Sequence, residues 1–152
     1  MDALDRRILA LYQRDVRQPA GRIGAAVGLS AAAVQRRLKR LREAGVIRAE
    51  VARLDAARLG LPVTCLVSLT LGAAATPRGQ LARVKRELAA QPEVESCYHV
   101  TGALDFVLVV VTPSLERYTE FVRRVLEPNP HVARFDTHVV LETVKADGPL
   151  PL

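Results

Sequence analysis

The chain has 152 residues, 49% of them hydrophobic and 25% charged, with a formal net charge of +6. That length admits one domain or two small ones. No apolar run approaches the length of a bilayer span, and Met1–Ala10 is amphipathic and charged rather than a signal peptide, so a cytoplasmic protein with no membrane partner is expected.

Residues 1–60 carry 13 Lys and Arg against 6 Asp and Glu, whereas residues 61–152 carry 9 against 10. All the excess positive charge therefore lies in the first part. A polyanion-binding domain joined to a near-neutral one has this distribution; a uniformly basic protein does not.

In chain order, Leu4, Ile8 and Leu11 make the apolar stripe of a first helix ending near Asp15. Pro19 suits the first turn of a second helix, in which Ile23 and Val27 stand one turn apart. Gly28 follows where that helix must stop, because glycine takes the left-handed C′ conformation without steric penalty. Leu29 tucks back under the turn, and Ser30 is a favoured N-cap for a third helix running from about Ala31 to Ala44 and ending at Gly45. Gly24 sits where a second helix crosses closely in such units and only a small residue fits. From Ala20 to Ile47 this is the spacing of a helix-turn-helix.

In the third helix Val34, Leu38 and Leu41 share one stripe, and Ala32, Arg36, Lys39 and Arg40 lie opposite. Double-stranded DNA is the partner this face suits. Ala32, Gln35 and Arg36 are placed for base edges in the major groove, and Ser30, Lys39 and Arg40 for phosphates, with Arg37 and Arg42 on the flanks. A solvated basic helix on a small helical bundle is the alternative. Ala31, Ala32 and Ala33 offer at most apolar contacts to thymine methyls, so base reading is modest or shape-based.

Val46, Ile47, Glu50 and Val51 read as a short extended segment, a wing, and a linker follows through Leu54, Leu59, Gly60 and Pro62. The organisation is then a winged helix-turn-helix over 1–50, a linker over 51–62, a second domain over 63–145 and a tail over 146–152. Within the second domain the pattern runs strand (Val63–Leu71), helix (Pro77–Ala90), strand (Val94–Val100), strand (Asp105–Thr112), helix (Ser114–Leu126) and strand (Val132–Val144). This is βαββαβ, the ferredoxin-like order, and the fold class is α+β. Phe106–Val111 is apolar on both faces although two helices cover only one face of a four-stranded sheet. A second copy of the sheet is the economical cover, which predicts a homodimer.

Cys65 and Cys97 lie on different strands without paired His or Cys nearby, so reduced thiols and no metal or other cofactor are expected. His99, His131 and His138 are accompanied by no nucleophile, paired carboxylates or phosphate-binding loop, and no enzyme is predicted.

The blocks Leu4-Asp5-Arg6-Arg7-Ile8-Leu9, Val27-Gly28-Leu29-Ser30, Arg36-Arg37-Leu38, Leu41 and Gly45-Val46-Ile47 occur in this order in the first domain. Cys97-Tyr98-His99-Val100-Thr101-Gly102, Asp105-Phe106 and Val139-Val140-Leu141-Glu142-Thr143-Val144-Lys145 follow in the second. Together they resemble the Lrp/AsnC, or feast/famine, family of transcriptional regulators, whose second domain is called RAM. The resemblance implies pairing of RAM domains, further assembly such as octamers, and a small effector, typically an amino acid, bound between dimers. It places the effector at the turn Gly102, Ala103, Leu104 and Asp105 with Thr137 nearby, Asp105 offering to hold an ammonium group and Thr137 a carboxylate. An ordinary hairpin turn capped by its own Asp is the other reading of those residues. Many members carry an acidic residue directly after the glycine; this chain has Ala103 and then Leu104. Sirohaem decarboxylases share the two-domain architecture, but their Tyr-Asn and Trp-containing strand is replaced here by Phe106-Val107-Leu108-Val109. A DNA-compacting architectural protein without a ligand switch is the remaining competitor.

Overall fold

In the computed structural model of the chain, residues 1–72, 78–146 and 148–152 are described. They form two compact units, Met1–Arg53 with Val144–Leu152 and Leu54–Thr143.

The first unit holds three helices, α1 (Ala3–Tyr12), α2 (Ala20–Val27) and α3 (Ala31–Glu43). Their apolar stripes converge on Ile8, Tyr12, Ile23, Val27, Val34 and Leu38. Helix α1 starts at a capping box, in which the Asp5 N–H donates to Asp2 Oδ1 at 2.8 Å and the Asp2 N–H donates to Asp5 Oδ2 at 2.9 Å. Beyond α3, Gly45 turns the chain with φ 69°. No strand forms between residues 46 and 55, so the expected wing is an extended segment without a hairpin. Its Glu50 is bound by side chains of α1 and α3, and no second extended segment among the described residues of this unit pairs with it.

The second unit follows the expected order: β1 (Val63–Leu71), α4 (Arg78–Ala89), β2 (Val94–His99), β3 (Phe106–Thr112), α5 (Leu115–Phe121) and β4 (Val132–Val139), with a short 3₁₀ turn at Ala57–Leu59 before β1. The expected start of the first of these helices at Pro77 lies outside the described residues. Helix α5 is capped by Ser114 and continues as a π-helical turn over Val122–Leu126, so the single expected helix has two windings. All strand pairs are antiparallel in the order β2-β3-β1-β4. The final strand ends at Val139 rather than Val144. The Val140 N–H donates to the Thr64 carbonyl, and the same register sets Leu141 opposite Val63, so residues 142–144 lie past the start of β1.

One sheet face packs on the helices. Phe106, Leu108 and Val110 of β3 and Cys65, Val67 and Leu69 of β1 are buried there with Val84, Leu88, Phe121 and Leu126. Cross-strand register puts Tyr98, Val107, Ser68 and Asp136 in one row of the opposite face, and Ser96, Val109, Leu66 and His138 in the next. Leu66 and Tyr98 are 40% and 57% exposed on that face. Cys65 and Cys97 are both free thiols, and burial pushes each above its ordinary pKa.

Candidate nucleic-acid interface and effector turn

The turn between α2 and α3 is built as its residues require. Gly28 adopts φ 76° and ψ 35°, and the following Leu29 N–H closes on the Gly24 carbonyl at 2.9 Å. Ser30 Oγ then accepts the Ala33 N–H at 3.2 Å and starts α3. Gly24 is needed for a reason other than the expected helix crossing. A Cβ there would collide with the carbonyl oxygen of Leu29 and lie 3.4 Å from the carbonyl carbon of Ser30, so the close neighbour is the backbone of the turn itself.

On α3, Val34, Leu38 and Leu41 are buried while Ala32, Gln35, Arg36 and Lys39 are exposed. Among the described residues Arg36 makes no hydrogen bond or ion pair, and Lys39 Nζ is only loosely placed, 3.8 Å from Glu43 Oε1. The structure thus presents Ser30, Ala32, Gln35, Arg36 and Lys39 together on the solvent side of one helix and turn. Arg40 is 59% exposed but gives Nη2 to Asp5 Oδ2 at 2.7 Å, so it is partly committed to the fold.

Two polar joints hold that helix, and neither is apparent from helical projection. Arg37 donates through Nη1 to Asp2 at 2.7 Å and to Asp5 at 2.8 Å, and Asp5 is fully buried. Burial pushes the Asp5 carboxyl up, but the Asp2 N–H and the guanidinium groups of Arg37 and Arg40 outweigh it and hold it below the usual carboxylate range. Asp2 is drawn down to about 2, first by its bond from Arg37 and next by the Asp5 N–H. At the other end, Tyr12 donates to Glu50 Oε1 at 2.8 Å, Arg42 Nε reaches the same oxygen at 2.7 Å, and Arg42 Nη2 donates to the Tyr12 hydroxyl at 2.9 Å. Arg37 and Arg42, expected merely to flank the basic face, are its fasteners. The Asp2-x-x-Asp5 spacing is the one sequence signal that pointed to the first joint.

In the second unit Gly102 takes φ 115°, a conformation that suits glycine, and with Ala103 it is exposed between β2 and β3, while Leu104 and Asp105 are half-buried. The Asp105 carboxylate does not cap its own turn. Its Oδ2 accepts the N–H of Leu71 at 2.7 Å, and its own N–H donates to the Leu69 carbonyl at 2.8 Å, so it clamps the end of β1. Thr137 pairs with Val67 on the helix-covered face and its hydroxyl is hydrogen-bonded to the Tyr118 hydroxyl of α5. Asp105 and Thr137 are therefore each held by a separate partner, with no hydrogen bond between them.

The AsnC-type helix-turn-helix domain matches residues 1–42, and the Lrp/AsnC ligand binding domain matches residues 64–150. An uncharacterised HTH-type transcriptional regulator, y4tD, of Sinorhizobium fredii is 37% identical, over 100% of this chain and 89% of the relative. The HTH-type transcriptional regulator AldR of Mycobacterium tuberculosis is 30% identical, over 99% of this chain and 83% of its own. The crystal structure of an AsnC family transcriptional regulator from Agrobacterium tumefaciens superposes with a TM-score of 0.90 at 31% identity, covering 99% of this chain and 97% of that one. A Neisseria meningitidis transcriptional regulator in complex with L-methionine also superposes with a TM-score of 0.90, at 25% identity and covering 99% and 96%. With both of its units matched in order, the chain belongs to the Lrp/AsnC family of helix-turn-helix transcriptional regulators.

Proposed function

We propose that this regulator reads double-stranded DNA through the solvent side of α3 and answers to an amino acid or related small effector bound by its second unit. In this reading Ala32, Gln35 and Arg36 face base edges, while Ser30, Lys39 and Arg40 face phosphates. The observation that carries it is the exposed, unpaired Arg36 on a helix whose other face is buried and whose middle and C-terminal turns are fastened to α1. A guanidinium without an intramolecular partner keeps its donor fork for a guanine edge.

Assembly is the second part of the proposal. Leu66, Tyr98, Val107 and Val109 form an apolar centre on the sheet face away from α4 and α5, and a second copy covers it in a homodimer that builds toward an octamer. Several linked heads then raise the effective concentration at neighbouring half-sites, by roughly 10² to 10⁴ in avidity. The effector turn comprises Gly102, Ala103, Leu104 and Asp105 with Thr137 near it, and the methionine complex of the Neisseria relative supports an amino-acid ligand. Because Asp105 already serves Leu71, the exposed backbone at Gly102 and Ala103 is the more available part of that site.

The protein acts as a cytoplasmic binding protein and not as an enzyme. No helix among the described residues is long and apolar enough to cross a membrane. His99 lies 5.0 Å from the ring of Phe106 in a helix-side row, while His138 is in a row of the other sheet face, so the two imidazoles do not converge.

Footprinting of the full chain upstream of its own and neighbouring genes, paired with calorimetric titration of the twenty amino acids, tests this function. Protection confined to spaced sites, altered by one amino acid, is the expected result. Uniform protection that no amino acid changes would instead assign an architectural, ligand-independent protein.

A further inference from the structure

We propose that the end of α1 in the DNA-binding head is a docking site for this chain's own C-terminal segment, gripped through its backbone by Gln13. The Gln13 Nε2 donates to the Leu150 carbonyl at 3.0 Å, and the Leu150 N–H donates to Gln13 Oε1 at 2.9 Å. One side-chain amide thereby uses its donor and its acceptor on the two backbone groups of a single residue, as a neighbouring strand does in an antiparallel ladder. The two residues are 137 apart in sequence, so no local turn forces the pairing.

The tail sequence Gly148-Pro149-Leu150-Pro151-Leu152 fits this grip. Proline has no N–H, so within Pro149–Pro151 only Leu150 can donate to Gln13, and a slip by one residue in either direction loses that bond. The flanking prolines also restrict φ and favour an extended chain before docking, which lowers the entropy lost on binding. The Leu150 side chain is 70% exposed, so recognition runs through the backbone and not through the leucyl group.

The docked tail forms one side of an open crevice of about 850 Å³, which Pro149 lines together with Arg14, Val16, Glu50 and Val51. Glu50, which lines the same crevice, is fixed in place by Tyr12 and Arg42. Glu50 and Val51 come before the second unit in the chain and Pro149 after it, and both stretches belong to the head. With the tail docked, the second unit is connected to the head at both ends of its chain instead of one.

The test is hydrogen exchange, read by mass on the C-terminal peptide of the full chain. Across Pro149–Pro151 only the Leu150 amide contributes to the mass change. We expect it to exchange about tenfold more slowly than in the free peptide Gly-Pro-Leu-Pro-Leu. Gln13→Ala should restore the free-peptide rate while the helical circular dichroism of the head is retained, and Leu150→Ala should leave the protection in place. Exchange at the free-peptide rate in the unaltered chain, or equal protection in Gln13→Ala, overturns the site. Loss of protection in Leu150→Ala overturns recognition through the backbone.

Discussion

Asp5, in the first turn of α1, receives the Arg37 guanidinium of α3 at 2.8 Å with its carboxylate completely buried. The same carboxylate closes the capping box of α1 and takes a second guanidinium from Arg40. One buried group therefore caps one helix and fastens it to α3. Removing it leaves Arg37 with only Asp2 and opens the N-terminal turn. Asp5→Ala should cost the head about 3 kcal/mol in urea denaturation, the range for breaking a buried ion pair. A loss under about 1 kcal/mol, the range of a surface pair, would contradict this role.

The same joint sets an acid limit. Asp2 is drawn from 3.8 to about 2 and Asp5 is also lowered, so both bind fewer protons in the folded head than in the unfolded chain. Their contribution is complete above the ordinary value and is lost as pH falls toward the folded one. Far-ultraviolet circular dichroism should therefore show the head losing stability from about pH 4 down to about pH 2. In Arg37→Met the two carboxyls return toward their ordinary values, so the head is less stable near neutral pH and its further loss of stability below about pH 4 should shrink. An unchanged acid transition in that variant would count against the joint.

Gly24 and Gly28 separate two demands that a turn makes on glycine. Gly28 has φ 76° with open space where a Cβ would be, so Gly28→Ala adds backbone strain of about 1 kcal/mol. Gly24 has ordinary helical geometry, but its Cβ would meet the Leu29 carbonyl, and Gly24→Ala must displace the turn at about 2–3 kcal/mol. Thermal denaturation should rank Gly24→Ala as the more damaging. The reverse order would show that the turn yields more easily than its conformation.

Such positions show which parts of the molecule are legible in sequence. Gly28, Ser30 and the alternation of β1 act over a few residues, so the end of α2, the start of α3, the span of β1 and the βαββαβ order can be read directly. The basic side of α3 follows from the same periodicity. Where contacts are distant, the sequence is mute. The pairing of β4 with β1 ends at Val139, Glu50 after α3 is held by Tyr12 and Arg42 and not in a hairpin, and the tail is bonded to the head through Gln13 and Leu150. Arg37 shows the same limit. Helical projection gives its direction, but not the Asp2 and Asp5 carboxylates that await it.

The uncovered sheet face predicts its own disruption. Val109 lies between Ser96 and Leu66 in the middle of that face and is only half-buried in the single chain. A lysine there places a charge at the centre of the proposed homodimer, where desolvation disfavours it strongly. Val109→Lys should sediment as a monomer at micromolar concentration while the unaltered chain sediments as a dimer or larger. Identical sedimentation of the two proteins would move the interface elsewhere.

Salt dependence separates the base contacts proposed for the exposed side of α3 from its phosphate contacts. Affinity of the full chain should be measured across salt concentrations on a footprinted site and on unrelated DNA, for the unaltered protein, Arg36→Ala and Lys39→Ala. Lys39→Ala should weaken both DNAs alike and reduce the salt slope by about one unit per head bound. Arg36→Ala should weaken the footprinted site by about 10- to 100-fold and the unrelated DNA much less, narrowing the specificity ratio. Equal, sequence-independent losses for both variants, or unchanged affinity, would contradict the assignment of α3 as the reading helix.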